Sequence, residues 1–136
     1  MTANIEPVFP KIGVIAVARP AAANTNRDGS GTITDLVSGG TDGTMIWKIK
    51  AKAINDTNST MVRLYIDDGS GYELFHEFHT EAITPGQGVK TWEEELVFDA
   101  PHVLPSGHKF GVSQHTYNSP AGKDLFNVFA IGGTYS

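Results

Sequence analysis

Few folds are open to a chain in which residues 45–53 alternate as strictly as they do here. Met45, Trp47, Ile49, Ala51 and Ala53 fall in one phase, and Lys48, Lys50 and Lys52 in the other. An extended strand sends successive side chains to opposite faces, so this spacing predicts one dry face and one wet face. Residues 61–67 and 72–78 read as two further strands. They are joined to the first, and to each other, by Asn55-Asp56-Thr57-Asn58-Ser59 and Asp68-Gly69-Ser70-Gly71, which are rich in turn residues. Three consecutive strands with one buried face point to antiparallel sheets rather than a parallel α/β fold. Met45, Trp47, Ile49, Val62, Leu64 and Ile66 are the expected core.

The rest of the chain extends this pattern. Strands are expected at 32–38, 90–99, 109–115 and 125–131, with a short extended piece at 102–104. The separators Gly39-Gly40-Thr41-Asp42-Gly43, Thr84-Pro85-Gly86-Gln87-Gly88 and Pro105-Ser106-Gly107 are turn-rich, and no segment holds a helical period. The expected fold class is therefore all-β: an antiparallel β-sandwich, of jelly-roll or immunoglobulin-like type, over residues 31–136. Residues 1–30 differ. Pro7, Pro10 and Pro20 confine regular structure to Ile12–Ala18, and a small, polar, turn-rich stretch follows. This segment reads either as an extended N-terminal arm lying on a neighbour or a sheet edge, or as a first strand with a long loop. On the arm reading, Val8, Phe9, Ile12, Val14, Ile15 and Val17 are the expected partner contacts.

Composition narrows the function classes. The chain has 136 residues, enough for one domain with its own core. With no cysteine it can form neither a disulfide framework nor a cysteine-based metal site, which suits folding inside a cell. A net charge of −5 argues against nucleic acid as a partner. The apolar run at 12–18 is too short to span a membrane, and no signal-peptide pattern opens the chain. No membrane partner and a cytoplasmic site of folding are expected.

Candidate chemistry is thin. Asp28-Gly29-Ser30-Gly31 and Asp68-Gly69-Ser70-Gly71 carry oxygen ligands, but Asp-Gly is also a favoured hairpin turn, and no closing carboxylate follows. His76 and His79 on a strand point to opposite faces. His102 and His108 could meet across a turn, but no further ligand completes a set. No metal or other cofactor is expected. Glu93, Glu94 and Glu95 suggest paired carboxylates. On a strand, however, Glu93 and Glu95 share a face that can pair across strands with the lysine stripe. Trp92 reads as core with Leu96 and Phe98, while Tyr65 and Tyr117 read as exposed aromatics able to stack on a sugar. The expectation is a protein without catalytic residues.

The order of several motifs is more specific. Ala23-Asn24-Thr25-Asn26-Arg27-Asp28-Gly29-Ser30-Gly31-Thr32-Ile33 leads to Ser38-Gly39-Gly40-Thr41-Asp42-Gly43-Thr44, then to Met61-Val62-Arg63-Leu64-Tyr65-Ile66-Asp67-Asp68-Gly69. Leu104-Pro105-Ser106-Gly107 and Phe126-Asn127-Val128-Phe129-Ala130 with Gly132-Gly133 come later. This series resembles small, cysteine-free structural proteins encoded among the virion genes of tailed bacteriophages. The resemblance implies a virion component and transfers no active-site residue. It points first to a capsid decoration or cement protein at the capsid surface, partnered by the major capsid protein and by copies of itself, for which a trimer suits local three-fold positions. The alternative is a tail, fibre or baseplate component that binds a glycan.

Overall fold

The computed structural model describes residues 12–135, and they form eight strands and no helix. The strands are β1 (Ile12–Ala18), β2 (Thr34–Ser38), β3 (Thr44–Ala53), β4 (Met61–Asp67), β5 (Tyr72–His79), β6 (Glu93–Leu104), β7 (Lys109–Gln114) and β8 (Phe126–Thr134). They make two antiparallel sheets of four, ordered β1-β8-β3-β6 and β2-β7-β4-β5. Buried side chains from both sheets join one hydrophobic cluster, including Ile46, Ile49, Val128 and Phe126 from the first and Val62, Leu64, Phe78, Phe110 and Val112 from the second. Fully burying each such side chain contributes about 1.5–3 kcal/mol relative to leaving it in water. The all-β expectation is met throughout the described residues.

Two irregularities in register decide which side chains reach the core. In β3 the pairing with β8 passes from Ile46–Gly132 directly to Lys48–Ile131, so Trp47 is an extra residue. A bulge of this kind shifts the phase of the alternation by one residue. Ile46 is therefore buried ahead of the bulge, and Ile49, Ala51 and Ala53 after it. Trp47, expected in the core, is instead 41% exposed, and Met45 is half-buried. Opposite the same point, β6 pairs through Val97 and then His102, so residues 98–101 arch away. Because β6 is an edge strand, the arch leaves no ladder donor unpaired on an outer neighbour and accommodates Pro101. The piece at 102–104, expected as separate, is the end of β6.

On the facing sheet, β5 bulges at Phe75, between the pairs Leu64–His76 and Tyr65–Leu74. The two irregular edges meet. Phe75 lies 6.3 Å from Phe98, 6.1 Å from His102 and 5.8 Å from Phe110, ring centre to ring centre. These aromatics cover the side of the core between the β5 and β6 edges.

Residues 12–33 are held by their own domain. The chain runs through β1, which pairs with β8 from Ile12–Thr134 to Ala18–Val128 without a register break. The connection to β2 then crosses the outer face of the second sheet. There the Asn24 amide donates to the Gln114 carbonyl (2.8 Å), and the Asn24 side chain ties down the carbonyls of Ser30 (2.9 Å) and Thr32 (3.0 Å). Tyr65, expected as an exposed aromatic, lies fully buried beneath this connection and donates its hydroxyl to the Asn26 carbonyl at 2.8 Å. A polar cover over a sheet face hides the residues that alternation alone would expose.

Candidate functional site

The outer face of the first sheet is built from three cross-strand rows. Ile15, Ile131, Lys48 and Val97 form one; Val17, Phe129, Lys50 and Glu95 the next; Asn127, Lys52 and Glu93 the third. Arg19 extends the third row by donating from Nε to the Asn127 side chain at 2.8 Å. The face is divided down its length. Its β1–β8 half is apolar over the first two rows, with Ile15 76% and Val17 55% exposed, and polar at Asn127 and Arg19, while its β3–β6 half is a charged ladder below the exposed Val97.

The ladder follows the sequence expectation. Lys48 reaches Glu95 (3.6 Å), and Lys50 reaches Glu93 (3.1 Å) and Glu95 (4.0 Å). Lys52 (3.9 Å) and Lys90 (2.8 Å) also approach Glu93. Hydrogen bonding to Lys90 first, then to Lys50, holds the Glu93 carboxyl down to about 2.

The apolar half ends in an edge strand without the usual guards. β1 holds seven residues with no charge, no proline and no bulge, and its outer rim is unpaired by any described strand. Exposed sheet edges in soluble proteins usually carry such guards, because an unguarded edge offers its backbone and apolar side chains to another chain. Four of the six expected contact residues lie here. Ile12, Ile15 and Val17 are exposed, whereas Val14 is half-buried and packs against the core. Val8 and Phe9 lie outside the described residues. Phe129 and Ile131 were missed as members of this face. Their signal was a last strand apolar in both phases, since Phe126, Val128 and Ala130 already fill the inner one.

The remaining candidates are placed as follows. Both Asp-Gly-Ser-Gly loops close on themselves: Asp28 and Asp68 each accept from the backbone amide and hydroxyl of the serine two residues on, at 3.0 and 2.5 Å and at 3.1 and 2.5 Å. Gly29 and Gly69 take the positive φ such turns need. His79 sits 3.1 Å from the Ser59 hydroxyl, while His76 packs edge-on against Phe78. His102 and His108 do line one cleft, with Asp68 and Glu73. No group of three histidine or acidic side chains among the described residues is arranged to hold a metal. Trp92 is buried edge-on to Phe126 at 5.7 Å, as a core residue.

His102 supplies a pH dependence. Burial among Phe75, Phe98 and Phe110, and secondarily the charge of His108, lowers its pKa from 6.5. The unfolded chain then binds more protons as pH falls through 6.5, so the stability held above that value is lost below it. Urea midpoints should fall between about pH 7.5 and pH 5.5, and His102→Phe should flatten that decline. An unchanged slope in the variant would remove His102 as its source.

Comparison with protein-family models, curated proteins and solved structures found no match.

Proposed function

We propose that this protein is a non-enzymatic bacteriophage virion component, a capsid decoration or cement protein that binds the major capsid protein lattice through the β1–β8 half of its first sheet. The observation that carries the reading is the unguarded apolar edge. Ile15 and Val17 stand in water beside Phe129 and Ile131, while most of the other half of the same face, Val97 excepted, carries ion pairs. Such a division leaves one side able to dock and keeps the other solvated. The strand order supports a jelly-roll β-sandwich, since the pairs β4–β5, β3–β6, β2–β7 and β1–β8 are those of one long hairpin rolled over itself. The order of turn motifs described above supports the virion assignment.

The test uses purified particles stripped of this protein. Wild-type protein should rebind in many copies and raise the temperature at which capsids break. Ile15→Lys/Val17→Lys should remain folded, because surface substitutions usually change stability by about 0.5 kcal/mol or less, yet bind at least about tenfold more weakly. Full binding by the folded double variant would remove β1 as the docking edge. Only a handful of copies, confined to the tail, would remove the decoration role.

A further inference from the structure

A second surface feature lies away from that face, where the β1–β2 connection meets the second sheet. Arg27, Ser59, Thr60, Met61, His79, His115 and Thr116 line a cleft of about 280 Å³. Below it, Glu77 accepts from two guanidinium groups through one oxygen, Arg27 Nε at 2.9 Å and Arg63 Nε at 3.1 Å. Two cations therefore share one carboxylate. The other carboxylate joined to the cleft wall, Asp124, is already occupied by the Asn58 backbone amide (2.8 Å), the Asn58 side chain (3.0 Å) and the Thr116 hydroxyl (3.0 Å).

The donors left over follow from hydrogen-bond logic. Arg63 Nη2 lies 2.9 Å from His115 Nδ1, and a guanidinium can only donate. Nδ1 must therefore accept, which places the ring proton on Nε2, an atom with no partner among the described residues. Arg27, more than half exposed, spends only Nε on Glu77 and keeps both terminal nitrogens. Ser59 and His79 form a hydroxyl–imidazole pair that can turn one further hydrogen outward. The lining itself is rich in donors and includes Arg27 but no carboxylate, while Glu77 and Asp124 behind it balance the charges of Arg27 and Arg63 and Glu77 keeps one oxygen free to accept.

We propose that this cleft binds a compact oxyanion, a phosphate or a carboxylate, held between the Arg27 guanidinium and His115 Nε2–H with help from the Ser59–His79 pair. Paired donors from a guanidinium suit both anions, and the cleft holds a group of that size but no extended polymer. The inference is independent of the capsid reading and is tested on the isolated protein.

The experiment is an NMR titration with inorganic phosphate and, separately, acetate, at constant ionic strength maintained with chloride. Saturable shifts at His115, His79 and Ser59 are expected, with the tighter of the two salts identifying the preferred geometry. Arg27→Ala should weaken that binding by at least about tenfold, as expected for loss of a charge-assisted contact. His115→Gln, which keeps one donor, should bind better than His115→Phe. If neither salt moves these resonances, or if the shifts centre on Lys48, Lys50 and Lys52, the proposal is wrong. Equal binding by folded Arg27→Ala, with native-like amide spectra, would overturn it as well.

Discussion

Arg63→Ala should lower the unfolding free energy by about 3–5 kcal/mol, a large fraction of the 5–15 kcal/mol typical of a domain. Arg63 is fully buried on the outer side of its sheet, an uncommon place for a guanidinium. Its nitrogens are matched to Glu77, to the Asn24 carbonyl at 3.1 Å and to His115. Truncation leaves a void, an orphaned carbonyl and an imidazole nitrogen without its donor, while Glu77 keeps only Arg27. Because Asn24 belongs to the β1–β2 connection, the loss should also loosen residues 20–32 over the sheet. Urea unfolding measures the first effect and amide exchange at Asn24 and Asn26 the second. A variant within about 1 kcal/mol of wild type would mean that the connection does not seal Arg63 from water.

Gly132→Ala should be comparably damaging for a reason that lies in the backbone. Gly132 pairs with Ile46 on one side and Val14 on the other, at the point where Trp47 bulges out of β3. A Cβ there would sit 1.8 Å from the Met45 carbonyl oxygen and 3.0 Å from the Ile46 Cα. No rotamer relieves a clash with main chain, so β3 and β8 must separate or the bulge must move. Overpacking commonly costs about 1–3 kcal/mol, and a central strand with a fixed neighbour on each side belongs at the upper end. A thermal melt reads the loss. Ordinary stability in the variant would show that the bulge is not locked against β8.

Both residues show where the sequence was legible and where it was not. The lysine stripe and its pairing with Glu93 and Glu95 could be read directly, because alternation is a local property and the ladder preserves it over Lys48–Lys52. Trp47 was misread because a single extra residue inverts the phase, and nothing in residues 45–49 marks the inversion. Gly132, near the far end of the chain, permits the close approach that accompanies the bulge. Tyr65 and Arg63 have the alternation of a wet face, yet a polar connection about 40 residues earlier covers that face. Asn24 and Asn26 contribute carbonyls to the seal, and no apolar pattern reports a contact made by backbone oxygen. The β1 edge was legible as a strand from Ile12–Ala18, but its rows with Phe129 and Ile131 depended on a register that only the folded sheet supplies.

The nested pairing of the strands also orders events in time. β4 and β5 are joined by a tight turn and can meet early, whereas β1 and β8 bring together residues from the two ends of the described chain. The entropy of closing so long a loop is reduced only after the inner pairs have drawn those ends close. Loop-closure entropy therefore favours pairing outward from the middle of the sequence, an order in which the rows of Ile15 and Val17 would form with the last pair. A partner that reads those rows meets them only on a chain whose other strands are already in place. If the proposed docking holds, the surface it uses doubles as a certificate that folding is complete.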